Sequence, residues 1–558
     1  MPRLPVTTSS IATLPDDVLS NIFATLLRAS YIQDVPPAIS RSHPSVIVSH
    51  VCQDWRTLAL ATRLLWTEVR VKQPPYPFKR EVYGRRTASG PPSARLQRYR
   101  LLVAEWRRRV FILTEATKTW IARSENCPLS VHLNLEPLRY TNDSLGPPLS
   151  ESLVEIVNLL CNESFRWKFA TFSFPFSLAT LALKRPLFLM PEEVPRLERV
   201  GLTVYFDPPW NGQTVLADLL GVPEGISLLQ GAFMRSLRLD SNLCGDISRF
   251  PVDWSGLTEL SVGALTRTHP LQALYLLQLA PNLVHCHLHL GINPIPTLYG
   301  NLYPHGAEIS LRNLVNNVTL SYLRSLVLDI TDPIPTDLAQ CLTLPSLRSL
   351  QLIGPRSFQL EWFCNFGAQL TDVSFNYSSL IHGDLVYALV LLRNVTRLKL
   401  SGEGSSDWCG EDGWHSPAAV SSEILQSLSP RFGIDVETGK EVLVDEPTAC
   451  PKLDSFYCRL DGNVNECTEE ELVEFIEAKR KVPPGHDCVA QIKNVHVVFP
   501  EDVGVEFPDT VISIGALEEL RGREVDMEDL ILCLEYPCSS DPTSYTTVGN
   551  PGGLDIYF

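Results

Sequence analysis

One six-residue pattern, apolar-x-x-apolar-x-apolar, returns ten times from residue 194 onward and limits what this chain can fold into. It occurs as Leu197/Val200/Leu202, Met234/Leu237/Leu239, Leu257/Leu260/Val262, Leu283/Cys286/Leu288 and Leu323/Leu326/Leu328. It continues as Leu347/Leu350/Leu352, Leu370/Val373/Phe375, Val395/Leu398/Leu400, Leu453/Phe456/Cys458 and, more weakly, Ile492/Val495/Val497. Successive starts are 37, 23, 26, 40, 24, 23, 25, 58 and 39 residues apart. A short apolar strand of this kind cannot bury its side chains within its own unit. Stacking on the units before and after it buries them, so the pattern predicts an array rather than a closed core. Pro-x-Leu precedes the pattern four times, as Pro195-Arg-Leu197, Pro281-Asn-Leu283, Pro345-Ser-Leu347 and Pro451-Lys-Leu453.

Helical faces fill the segments between strands. Pro270 to Leu279 is one and Ser416 to Leu428 another, with Ser416 and Pro417 at N-cap and first-turn positions. Thr468 and Glu471 form a capping box that opens a helix ending in Lys479-Arg480-Lys481, bases suited to its negative end. The widest gap, 58 residues, holds an acidic Gly-rich loop over 403–415 and a hairpin over 434–444 centred on Thr438-Gly439. Trp408 and Trp414 in that loop are either partner anchors or rings folded back on the chain, and the sequence does not separate the two. The 23–26-residue spacings and the strand pattern, over roughly 200 to 500, resemble the leucine-rich-repeat family. That resemblance implies an α/β solenoid, here irregular. Upstream, Leu129, Val131, Leu133 and Leu135 alternate as a half-buried strand, 149–161 reads as a helix, and Phe169 to Phe174 is strand-like.

The N-terminus is different. Leu14-Pro15 and two carboxylates, Asp16 and Asp17, precede Val18, Leu19, Ile22, Phe23, Leu26 and Leu27, which share one helical face. Val48, Val51, Cys52, Trp55, Leu58 and Ala59 read as a second amphipathic helix, and Leu64, Leu65, Trp66 and Val69 as a third apolar element. About sixty residues bury little surface alone, so a partner or the next domain is expected to cover an extra face. These residues resemble an F-box: Leu14-Pro15, the Asp17/Leu19/Ile22/Phe23 helix, Val51-Cys52 before Trp55-Arg56, and Leu65-Trp66. The link over 28–45 is longer than in a minimal F-box. The run from Arg123 to Leu129, the following helix and Arg166-Trp167-Lys168 are similar to the segment after the F-box in fungal, mushroom-type F-box proteins. The alternative is a plain helical cap on the next domain.

The expected fold is thus an α/β repeat solenoid of irregular leucine-rich repeats behind a small all-α F-box-like domain. The expected divisions are a flexible 1–12, an F-box-like 13–71, a basic linker and helix over 72–126 and the solenoid over 127–535. An insertion over 403–450 and a loose tail over 536–558 complete them. The long helix of the third segment runs from Leu96 to Ser124. The 558 residues carry a net charge of −16, unevenly spread. Lys72 to Arg109 holds eleven bases and two acids, whereas Arg431 to Phe558 holds 27 acids and ten bases. The acidic part argues against nucleic acid as partner. The basic part reads as a solvated linker, or else as a nuclear localisation signal or a patch for an acidic partner. No apolar run is long enough to span a bilayer, and Met1 to Ala12 lacks the features of a signal peptide. Fourteen scattered cysteines without a C-x-x-C pair point to a reducing cytoplasmic or nuclear setting rather than disulfides or structural zinc.

No phosphate cradle, nucleophile elbow or paired Gly-rich fingerprint is present, so neither enzyme activity nor a cofactor is expected. The F-box resemblance implies that Leu14, Pro15, Val18, Leu19, Ile22, Phe23, Val51 and Trp55 dock on a Skp-type adaptor of a cullin–RING ubiquitin ligase. Trp55 is the one best suited to the internal core. The alternative role is an interaction scaffold without ubiquitin transfer. Residues between the repeat's core positions face outward and form the expected surface for a protein substrate. They include Arg238, Asp240, His285, His287, His289, Asp329, Gln351, Asn376, Arg397, Lys399, Tyr457 and Arg459. His285, His287 and His289 share one strand face, but alternate residues on a strand lie about 6.5 Å apart, too far for one metal without a bend or another ligand. Exposed histidines are the preferred reading.

Overall fold

The computed structural model describes residues 14–31, 36–77, 92–135, 151–176, 185–206, 226–241, 247–263, 268–291, 317–331, 337–354, 360–377, 380–402, 418–434, 441–443, 448–460, 466–482, 489–500 and 514–535. The 1–12 terminus, the Trp408/Trp414 loop, Ser416-Pro417, the turn at Thr438-Gly439 and the 536–558 tail lie outside them. The chain is α/β and divides into two compact units, Met1–Leu257 and Thr258–Ile556. The division falls inside the stretch expected to be one solenoid.

The first unit opens with three helices, α1 (Asp16–Ala29), α2 (Pro44–Val48) and α3 (Gln53–Ala61), and a 3-10 turn over Arg63–Trp66. The single helix expected over 48–59 is broken in two. Cys52 is extended, at φ −153° and ψ 176°, and its Sγ accepts from the Trp55 amide at 3.5 Å, so it caps α3 rather than continuing α2. Arg56 Nε then donates to the Ser49 carbonyl at 2.9 Å, satisfying the end of the first piece. Five parallel strands follow in chain order: β1 (Glu68–Lys72), β2 (Leu129–Asn134), β3 (Trp167–Phe176), β4 (Arg199–Phe206) and β5 (Ser236–Ser241). The long α4 (Pro92–Ser124) joins β1 to β2, and α5 (Glu151–Asn162) joins β2 to β3.

Aromatic packing fastens the three-helix segment to this sheet. Trp66 is fully buried, donates to the Ala59 carbonyl at 2.9 Å, and meets Trp120 of α4 edge-on at 4.9 Å. The Arg123 guanidinium lies over the Trp66 ring, 4.4 Å from its centre. Buried Arg166 ties α4 to β2, donating to Ser124 Oγ at 2.6 Å and to the Cys127 carbonyl at 3.0 Å.

His43 belongs to the same cluster. It caps α2 by accepting from the Ser45 amide at 3.2 Å, and its ring stands edge-on to Trp120 at 5.2 Å. Burial pushes its pKa from 6.5 down to about 4. The unfolded chain takes up this proton as pH falls through 6.5, and the folded chain does not until about 4. Stability is therefore complete above 6.5 and declines below it, by about 3 kcal/mol once pH reaches 4. Asn at this position keeps a capping acceptor but cannot titrate. His132 of β2 is also pushed down to about 4, chiefly by burial, and contributes over the same window, so we expect His43→Asn to remove about half of the fall in the first unit's melting temperature between pH 6.5 and 4. A profile that superimposes on the wild type would refute the assignment.

Among the described residues, the long sheet of the second unit has nine parallel strands, again neighbours in chain order: β6 (Glu259–Val262), β7 (His285–Leu290), β8 (Ser325–Ile330), β9 (Ser349–Ile353), β10 (Asp372–Asn376), β11 (Arg397–Ser401), β12 (Ser455–Arg459), β13 (Asn494–Val498) and β14 (Ile531–Glu535). Helices α6 (Pro270–Leu279), α7 (Leu360–Phe366), α8 (His382–Leu391), α9 (Ser422–Leu428), α10 (Glu469–Arg480) and α11 (Ile514–Gly522) lie between them in sequence. The capping box at α10 forms, with Thr468 Oγ1 accepting from the Glu471 amide at 3.2 Å and Glu471 Oε2 accepting from the Thr468 amide at 2.9 Å. The 434–444 hairpin is an antiparallel pair, Phe432–Ile434 with Glu441–Leu443.

Each of the ten sequence repeats supplies one strand. All thirty of its apolar positions are at most 4% exposed. Equivalent positions sit side by side: Leu326 pairs with Leu350, Leu350 with Val373, and Val373 with Leu398. The register thus builds continuous apolar rows beneath the sheet and leaves the alternate residues on the opposite face.

Candidate functional site

The first candidate surface is on α1. The six apolar residues expected on one face divide into two stripes, each at i, i+4, i+8. Leu19, Phe23 and Leu27 are buried, and Val18, Ile22 and Leu26 are 38%, 41% and 47% exposed. Leu14 and Pro15 continue the exposed stripe toward the N-terminus. Leu19 and Phe23 are therefore corrected from the docking set to the core; Phe23 lies against Trp55 at 4.9 Å between ring centres. Trp55 itself is half-buried. Val51, at 57%, and Ile47, at 51%, add exposed apolar side chains at the end of α2. Folded proteins rarely leave so regular an apolar stripe in water without a partner for it.

The second candidate surface is the outward face of the strands. In the first unit, Arg238 is exposed and Asp240 half-buried on β5. In the second unit, the central outward row runs through His287, Val327, Gln351, Ser374, Lys399, Tyr457, His496 and Cys533. His285 is exposed and His287 half-buried, but His289 is buried, with Nδ1 2.9 Å from Asp329 Oδ2. His289 is turned into the interior beside Asp329, so the three histidines do not share one exposed face. Asn376 is only 2% exposed and is likewise corrected from the substrate face to the interior. Arg397 is held by Asp372 on the adjacent strand. Gln351 is half-buried, and Arg459 and Lys399 are exposed.

The outward chemistry concentrates on the last strands. Lys399 Nζ sits 4.8 Å above the Tyr457 ring centre, and Tyr457 meets the His496 ring edge-on at 4.8 Å. His496 Nε2 is 3.1 Å from Glu535 Oε1, and Cys533 Sγ is 3.7 Å from the same oxygen. Burial, with the Glu535 carboxylate beside it, holds the Cys533 thiol above its ordinary range. The sequence reading missed His496, Cys533 and Glu535. Period-two alternation on their strands was the signal available for them.

No protein-family model matches this chain, and no curated protein matches it. Among the described residues, no helix is long and apolar enough to cross a membrane.

Proposed function

We propose that this chain is the substrate-recognition adaptor of an SCF-type, cullin–RING ubiquitin ligase, with an F-box-like helical start and an irregular leucine-rich-repeat solenoid. Leu14, Pro15, Val18, Ile22 and Val51 dock on a Skp-type adaptor. The outward strand residues, among them Arg238, His285, Gln351, Lys399 and Arg459, receive a protein substrate. The chain does no bond chemistry itself and needs no cofactor; it raises the effective concentration of substrate at the ligase. Its working place is the cytoplasm or nucleus.

One observation carries the reading. The exposed apolar stripe of α1 lies beside the buried stripe Leu19/Phe23/Leu27, about 100° around the helix, so the apolar surface of the helix is wider than its own unit covers. The dense net of buried repeat positions supports the second half, because an array of strands offers a long polar face for recognition.

The test is a pull-down of the full chain beside Ile22→Asp and a Leu14→Ala/Pro15→Ala double variant, probed for the Skp-type adaptor and the cullin. Ile22 is exposed, so a carboxylate there leaves the melting temperature nearly unchanged. Adaptor binding is expected to fall roughly 10- to 100-fold, the cost of losing a central apolar contact. Full binding by a folded Ile22→Asp chain would refute the docking face. Adaptor binding without the cullin would leave a scaffold.

A further inference from the structure

We propose that His496, Cys533 and Glu535 form a binding site for a tetrahedral, zinc-like divalent cation that clips β14 to β13. The inference goes beyond the adaptor reading and does not depend on it.

The three groups come from two adjacent strands. His496 and Cys533 are register partners, and Glu535 follows two residues later on the same face. Their ligand atoms all lie within 4.8 Å of one another, with Nε2 to Oε1 at 3.1 Å and Sγ to Oε1 at 3.7 Å. Zinc bonds of about 2.0 Å to nitrogen or oxygen and 2.3 Å to sulfur imply tetrahedral edges of about 3.3–3.6 Å. The present spacing brackets those edges, so a cation can be seated by small side-chain rotations.

The histidine is set up for this role. Its Nε2 is shielded from solvent and makes no hydrogen bond, although Glu535 Oε1 lies 3.1 Å away. Cross-strand packing against Tyr457 fixes the ring plane. The donor set, one imidazole, one thiol and one carboxylate, suits zinc rather than calcium or magnesium, which take oxygen ligands. Three protein ligands leave the fourth position to water or to a donor from a bound partner. Seating the cation releases the Cys533 proton, so affinity rises with pH.

The experiment is a cobalt(II) titration of the full reduced chain, followed by displacement with zinc. Cobalt is the probe because a thiolate ligand gives a charge-transfer band and tetrahedral geometry gives intense visible bands. One equivalent per chain with both signatures is expected. Cys533→Ala should abolish the charge-transfer band, and Glu535→Gln should weaken binding at least tenfold. Cys364→Ser, an exposed cysteine elsewhere, should change neither. Zinc should also slow amide exchange over 531–535, a readout that a weak surface contact would not move. Failure of the wild type to bind, or a band that survives in a folded Cys533→Ala chain, would reduce the cluster to an ion pair beside a thiol and overturn the proposal. Should Cys533→Ala not fold, Cys533→Ser, which keeps the shape but not the thiolate, decides in the same way.

Discussion

A chain carrying Gly354→Ala is expected to lose about 3–5 kcal/mol from the stability of the second unit. Gly354 follows β9 directly and has φ +103°, outside the range that L side chains accept readily. A Cβ there would lie 2.2 Å from the carbonyl oxygen of Ile330, the last residue of β8. The oxygen belongs to the backbone, and Ile330 is fully buried, so neither can yield by a side-chain rotation. The positive φ accounts for roughly 1–3 kcal/mol and the enforced separation of two strand ends for a similar amount. Denaturant unfolding with exchange read over 325–353 measures it. The loss should appear as an earlier midpoint and faster exchange at the ends of β8 and β9. A Gly354→Ala chain as stable as the wild type would contradict the close approach of the two strands.

The repeat was legible because each unit repeats the same burial problem. Leu326, Leu350, Val373 and Leu398 are interchangeable solutions to it, and pairing them in register requires nothing the sequence hides. The same pattern continues where it was read as something else. Trp66, Val69 and Val71 fit it, with Val69 beside Val131 and Val71 beside Leu133, but the helical sequence before them masked a strand. Trp167, Ala170 and Phe172 fit it as well, all at most 1% exposed, in a stretch read as strand-like but not as a unit of the repeat. β14 escaped for the opposite reason. Its position equivalent to Ile492 is Asp529, exposed and at φ 63°, so the first apolar mark is missing.

The sites were less legible than the strands. Period alone cannot tell which of two adjacent stripes on α1 turns inward, since Val18/Ile22/Leu26 and Leu19/Phe23/Leu27 are equally apolar. Phe23 and Trp55 settle it by ring packing across helices, a relation between distant residues. His289 and Asn376 occupy outward positions of the pattern and are nonetheless buried, because position on a strand fixes a direction and not what lies beyond it. His496 and Cys533 stand 37 residues apart and meet only through the register of β13 with β14. No spacing motif encodes such a meeting.

The second large effect is expected from Arg480→Met, and it too turns on something the sequence pattern misplaces. Lys479-Arg480-Lys481 reads as a basic run suited to the negative end of the helix, but only Lys481 is exposed. Lys479 is fully buried and its amine is pushed down to about 8, chiefly by desolvation. Arg480 is 6% exposed and donates to three carbonyls: Asp526 through Nε at 2.9 Å, Ile492 through Nη1 at 3.2 Å, and Glu528 through Nη2 at 2.7 Å. One planar guanidinium therefore joins the end of α10 to the approach of β13 and to the turn before β14. Methionine fills much of the volume and leaves the three carbonyls unmatched. Each unmatched buried acceptor costs about 1–3 kcal/mol, and partial hydration returns some of it, so a loss of about 3–5 kcal/mol is expected. Lysine, with a single point of donation, should restore less than half. The loss should begin locally, with faster amide exchange over 526–535 and greater reactivity of Cys533 before the rest of the unit responds. Unchanged exchange there in Arg480→Met would mean that β14 is held by its ladder with β13 alone. The turn would then contribute nothing to the position of Cys533 and Glu535.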